Sequence, residues 1–307
     1  MQALRSVPNG ILRPPYAATG GVAASPPFVV LQDKTDVDAL RRAGQIAREM
    51  LEYACSLAVV GRSTESIDAE VHDAILARNV YPAPLNYRGF PKSLCAAVNN
   101  QICHGIPDNR CLREGDIVKF DVSVFTSEGY FGDNCATVIV GPSRGNSPSS
   151  TSNTLESSES PGEVETSAQR LTQATREGIL AAVETCRPGG DLRFVGSAIH
   201  SVADAYGYES VEKYCGHGIG RQFHMLPFVQ HFRNDDALLF REGMVFTIEP
   251  MFVEGSKECK TLNDGWTVVT VDGGRAAQYE HMVAITADGC EVLTAGTGDT
   301  SILSEFP

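Results

Sequence analysis

The 307-residue sequence has no run of apolar residues long enough to cross a membrane, so membrane insertion is set aside. It has no excess of positive charge either. Its 25 lysines and arginines stand against 38 acids, and the net charge of −13 argues against a nucleic-acid-binding surface as its main function. None of the nine cysteines forms a C-x-x-C pair, and their number is odd. In a chain this long, that pattern fits reduced, mostly buried thiols of an intracellular protein better than a disulfide framework or a zinc ribbon. The first 32 residues contain Arg5 and Arg13 but no acid. They read either as an organellar targeting segment or as a Pro/Gly-rich disordered arm, and the lack of an apolar stretch after the start argues against a secretory signal.

What the chain does contain, it says twice. "CLREGDIVKFDV" and "LFREGMVFTIEP" each carry an Arg-Glu-Gly turn, at residues 113 to 115 and 241 to 243, that launches a strand. Six residues after each glycine stands an acid, Asp121 or Glu249. "CHGI" at 103 to 106 and "GHGI" at 216 to 219 precede those strands in the same order. Such long-period similarity points to two related halves, each offering a histidine and a strand that bears a carboxylate.

Each half runs helix, helix, strands. Val37, Leu40, Ile46, Met50 and Leu57 give a helical stripe from Asp36 to about Val59, closed by Gly61. A second helix starts with Ser63 or Thr64 as cap, and "VYPAPLNYRGFPK" follows as a loop. Strands then run through Val140. Residues 142 to 167, rich in Ser, Thr, Pro and Glu, read as a solvated, disordered insertion. Two further helices, one marked by Leu171 and Ala174 and the other by Leu192 to Tyr206, precede strands from about Val211 to Leu293. The pattern predicts an α+β domain, with helices covering one face of a largely antiparallel sheet.

In "DIVKFDVSVF", Val118, Phe120, Val122 and Val124 share one face, while Lys119, Asp121 and Ser123 share the other. The next strand, "YFGDNCATVIV", presents Asp133, and the second half adds Glu249 and Glu280. Strand carboxylates converging within a few ångströms cannot all stay ionised cheaply unless a cation lies between them. His217 sits among glycines that let backbone and metal approach, whereas His72, His200, His231 and His281 read as structural. One histidine with four carboxylates is oxygen-rich, suited to Mn, Fe(II) or Co more than to a closed zinc site. Five donors suit a pair of ions, and two metals sharing a water generate hydroxide near neutral pH and polarise a carbonyl. Amide hydrolysis is the chemistry that follows.

The segments "YRGFPKSLCAAVNNQICHGIPD", "GDIVKFDVSV", "YFGDN", "YCGHGIGRQFH", "FTIEPMF", "GWTVVT" and "AQYEHMV" resemble type I methionine aminopeptidases, with the first segment nearest to mitochondrial members. The resemblance covers about residues 33 to 297 and implies the pita-bread fold, a pseudo-twofold antiparallel sheet covered by two pairs of helices. It divides the chain into an N-terminal extension, 1 to 32, and a single catalytic domain, 33 to 307. It implies that Asp121, Asp133, His217, Glu249 and Glu280 hold two divalent ions (Co, Mn, Fe(II) or Zn), with Asp133 and Glu280 bridging. His104 and His224 match outer histidines that contact substrate and stabilise the tetrahedral intermediate, and Glu249 would pass a proton to the leaving amine. Tyr87, Phe90, Cys95, Phe223 and Trp266 match the wall of a methionine pocket. The implied substrates are nascent polypeptides with a small second residue, in the mitochondrion or the cytoplasm, with ribosome association left open.

The turn between Asp121 and Asp133 is one residue longer than the family usually has, so a bulge or a looser turn is expected. Met225-Leu226 replaces a more polar or smaller pair. Two other readings remain: an Xaa-Pro-type peptidase of the same fold, and a non-catalytic pita-bread protein that binds peptides, histones or RNA.

Overall fold

The structure, a computed structural model, describes residues 4–141 and 166–296. The Ser-rich insertion therefore lies outside the described residues, except at its end: the Thr166 side chain and Gln169 form a reciprocal cap on the following helix.

In the first half, α1 (Lys34–Ser56) and α2 (Thr64–Ala77) are followed by β1 (Tyr81–Pro82), β2 (Cys95–Val98), β3 (Gln101–Cys103), β4 (Ile117–Phe125) and β5 (Phe131–Ile139). The second half repeats the order with α3 (Ser167–Val183) and α4 (Arg193–Tyr206). Its strands are β6 (Glu209–Ser210), β7 (Gly216–Gly218), β8 (Met225–Val229), β9 (Val245–Ile248), β10 (Met251–Val253), β11 (Cys259–Thr261), β12 (Val268–Thr270), β13 (Ala276–Gln278), β14 (His281–Ile285) and β15 (Cys290–Val292). Capping sets the helix starts. Asp33 and Asp36 cap α1 reciprocally, and Ser63 accepts the Ser66 amide at the head of α2.

All strand pairs are antiparallel. One sheet is built on β4, flanked by β5 on one edge and by β1 and β2 on the other; a second runs β15-β14-β9-β7-β8. The two halves are stitched where Cys135 of β5 bridges Glu280, the residue before β14. β3 of the first half also pairs with β12 of the second. Lys119, which the alternation placed away from the core, is buried and donates to the carbonyls of Asn99 and Ala276, 2.9 Å each, across the two halves.

The alternation along β4 is as the sequence predicts. Phe120 and Val122 join Leu51, Ile67, Leu171, Ile199, Phe246 and Ile248 in a single apolar core shared by all four helices. Each such side chain contributes about 1.5–3 kcal/mol when fully buried. The opposite face of the same strands is left to Asp121 and Ser123 in the first half, and to Thr247 in the second. The two Arg-Glu-Gly segments are true structural repeats: Gly115 (φ +81) and Gly243 (φ +85) take the left-handed conformation that costs glycine least.

Residues 4–32 do not form a separate arm. Ile11 and Tyr16 are buried, and the Tyr16 hydroxyl donates to the Ala83 carbonyl at 2.5 Å. Arg5 pairs with Glu65 and with Asp68, whose side chain is 0% exposed. Of the two readings of this segment, the disordered arm does not hold for residues 4–32, because apolar and ionic anchors pin them to the domain.

Candidate metal centre and substrate cleft

β4 and β5 pair without a break from Ile117↔Ile139 to Phe125↔Phe131, with Asp121 opposite Cys135 and Asp133 opposite Ser123. Both acids therefore face the same side, off the helical core. The additional turn residue is taken up in the 126–130 loop, closed by Thr126 N–H donating to the Tyr130 carbonyl at 2.9 Å, so no bulge is needed.

His217 enters from β7, squeezed between β8 and β9. A Cβ on Gly216 would lie 2.2 Å from the Thr247 carbonyl oxygen, and one on Gly218 would lie 2.1 Å from that of Leu226. These glycines admit the neighbouring strands, the close backbone approach expected of them. The His217 Nδ1–H donates to the Gly218 carbonyl at 3.2 Å, leaving Nε2 as the free lone pair. That Nε2 lies 3.7 Å from Asp133 Oδ2 and 3.7 Å from Glu249 Oε1. Asp133, His217 and Glu280 present ligand atoms within 4.8 Å of one another. Asp121 and Glu249 line the same cleft.

Burial pushes the Asp121 carboxyl up to about 6. It raises Asp133, Glu249 and Glu280 further, and their mutual repulsion adds to the effect. Among the described residues no lysine or arginine forms an ion pair with any of the four. Two unit charges 4 Å apart interact by about 4 kcal/mol at an effective dielectric constant of 20, so four acids round one neutral imidazole stay ionised together only with a cation among them. The donor set fits divalent metal. It offers hard oxygens, one nitrogen whose tautomer is fixed, and too much negative charge for a single ion.

Above the acids, the cleft of about 640 Å³ is lined by Tyr87, Phe90, Cys95, His104, Phe223, His224 and Trp266, all expected from the sequence. Trp266 meets the Phe90 ring edge-on at 5.1 Å and the His104 ring at 5.9 Å. Phe223 stacks on Phe131 at 4.8 Å, and His224 lies 4.1 Å from the His217 ring. His104 is held at φ +53, a left-handed conformation uncommon for a residue with a side chain. Burial lowers its pKa to about 4 and lowers His224 further, so both rings are neutral near pH 7. His224 Nδ1 is buried without a hydrogen-bond partner among the described residues.

Four contributors were not anticipated. Ser123 Oγ donates to Asp133 Oδ1 at 2.8 Å, and Thr247 Oγ1 donates to Glu249 Oε1 at 3.1 Å. Their signal was legible, since each stands two residues from an acid on the same face of a strand. His231, read as structural, is buried behind the site and accepts the Glu249 main-chain N–H at 3.1 Å. Val22 to Ser25 also line the cleft, and nothing in their composition announced it.

Comparison with known proteins agrees with this geometry. The pattern of metallopeptidase family M24 matches residues 38–287. Mitochondrial methionine aminopeptidase 1D of Danio rerio is 40% identical over 94% of this chain and 79% of that protein. The chloroplastic/mitochondrial methionine aminopeptidase 1D of Arabidopsis thaliana is 39% identical over 94% of this chain and 77% of its own. The crystal structure of methionine aminopeptidase from Rickettsia prowazekii superimposes with a TM-score of 0.78 at 36% identity, covering 87% of this chain and all of that one (100%). Prolidase from Pyrococcus furiosus, at 20% identity and a TM-score of 0.63 over 87% of this chain and 66% of its own, shares the fold alone.

Proposed function

We propose, from the premise that this chain belongs to metallopeptidase family M24, that its cleft performs the removal of N-terminal methionine from peptides whose second residue is small. The enzyme is a metal-dependent hydrolase, and nascent polypeptide N-termini are its substrates. The observation that carries the site assignment is the convergence of four carboxylates, those of Asp133 and Glu280 buried, and one oriented imidazole in an aromatic cleft where, among the described residues, no lysine or arginine pairs with them.

In this reading Asp121, Asp133, His217, Glu249 and Glu280 would hold two divalent ions of Co, Mn, Fe(II) or Zn. When bound, such ions polarise a carbonyl and make water acidic near neutral pH. Glu249, steadied by Thr247 and by His231, takes up a proton and delivers it to the leaving amine. His104 and His224, kept neutral by burial, donate to the developing oxyanion and to the scissile peptide. Tyr87, Phe90, Phe223 and Trp266 offer ring edges and faces, and Cys95 a soft thiol, to the methionine thioether. The organelle names carried by the Danio and Arabidopsis relatives support an organellar site of action, the mitochondrion before the cytoplasm, and nascent substrates make contact with the ribosome a further expectation.

The test is methionine release from Met-Ala-Ser and Met-Lys-Ser by metal-stripped protein, reloaded anaerobically with each ion. Metal-dependent release from the alanine peptide alone is expected. Folded protein that releases nothing with any ion would overturn the assignment.

A further inference from the structure

Residues 20 to 32 cross the mouth of the cleft between two fixed points. At one end the Arg88 amide donates to the Gly20 carbonyl at 3.1 Å, and Asn86 Nδ2 donates to Ala17 at 3.0 Å. At the other, the Gln32 amide donates to the Gly243 carbonyl at 2.7 Å. Between them, Ser25 Oγ donates to the main-chain carbonyl of His224 at 2.5 Å, which ties the segment to a residue that faces the reacting peptide. Val22, Ala23, Ala24 and Ser25 line the cleft together with the half-exposed Phe228. Among the described residues, the main chain of Val22 to Ser25 makes no backbone–backbone hydrogen bond, and all four residues are exposed.

A segment with unpaired main-chain groups, pinned at both ends beside a peptide-binding cleft, has the makings of a strand edge. We propose that Val22–Ser25 binds the substrate polypeptide downstream of the scissile bond by pairing main chain to main chain, as an added strand. The inference rests on the aminopeptidase reading, because it needs the chain beyond the second residue to leave the cleft past His224. Such a hold is blind to side chains. It suits an enzyme that must accept any sequence after its second residue, and it gives residues that carry neither metal ligands nor catalytic groups a direct part in substrate capture.

The experiment compares kcat/KM of metal-loaded enzyme on Met-Ala-Ser and on an octapeptide with the same start. A series of octapeptides N-methylated singly at positions 4, 5, 6 and 7 accompanies them. Added-strand pairing has a period of two, because alternate amides point to the partner. Methylation at alternate positions is therefore expected to lower kcat/KM by about three- to ten-fold, the scale of one lost hydrogen bond, with little loss at the positions between. The Ala23→Pro and Ala24→Pro variants remove one arm donor each, and at least one of them is expected to lower the octapeptide-to-tripeptide ratio. The methyl series on wild-type enzyme needs neither variant to fold. Equal losses at all four positions, or none, would overturn the strand proposal while Met-Ala-Ser is still cleaved. Failure to cleave Met-Ala-Ser would instead remove the aminopeptidase reading beneath it.

Discussion

Ser123 shows how much of a metal centre resides in residues that never touch the ion. Its hydroxyl fixes one Asp133 oxygen at 2.8 Å, leaving the other oxygen to face His217. Ser123→Ala is expected to weaken divalent metal binding by about ten- to a hundred-fold, the usual cost of losing such a support, with little change in circular dichroism. Calorimetric titration of the metal-stripped protein measures it. At this scale the sequence was unevenly legible. Asp121, Asp133, Glu249 and Glu280 stood out because acids on apolar strands are costly and stood in matched places in two halves, and His217 because it sits among glycines. His231 did not, because its ring serves a main-chain N–H 18 residues away, a relation with no periodic trace.

Elements were read best where local rules decide them. All four helices appear, the second with the Ser63 cap expected of it, and the core face of β4 follows from alternation alone. The order of the N-terminal segment was not legible because it comes from distant partners, Ala83, Asp68 and Glu65, that no local pattern reveals. Arg5→Ala is expected to cost about 2–3 kcal/mol, below the roughly 3–5 of a fully buried pair, because its guanidinium is 24% exposed. Urea unfolding measures the loss, and faster proteolysis near Tyr16 would accompany it. The turn that launches β4 carries its own pH signature. Burial opposes ionisation of Asp116, but Arg110, the Arg113 amide and Asn99 outweigh it and hold the carboxyl below its usual range. A lowered carboxyl pKa stabilises the fold above the unfolded value of about 3.9 and loses that contribution as pH falls through the lower folded one. The urea midpoint of wild type should therefore exceed that of Asp116→Asn near neutrality, with the gap closing below about pH 4.

For the molecule as a whole, the proposed site would make the metal part of the fold. Chelation should lower the melting temperature, since ion at a hundred times its dissociation constant adds about 2.7 kcal/mol. Asp133→Asn removes one of the crowded charges. Metal-free, it is expected to be more stable than metal-free wild type by about 1–2 kcal/mol, while gaining less from added ion. Calorimetry with and without chelator separates the two effects. An unchanged melting temperature in both proteins would deny the ion any structural part.

The bridge between Cys135 and Glu280 joins strands from opposite halves of the chain. The proposed donors are spread from Asp121 to Glu280, so in that reading a polypeptide still emerging from its own synthesis has no complete metal site until Glu280 has appeared. Earlier fragments carry two or three of the acids, yet lack the geometry that concentrates them. Maturation of the enzyme is therefore ordered in time: its last strands must close before an ion can be retained, and the activity it brings to other young chains is withheld from the unfinished copy of itself.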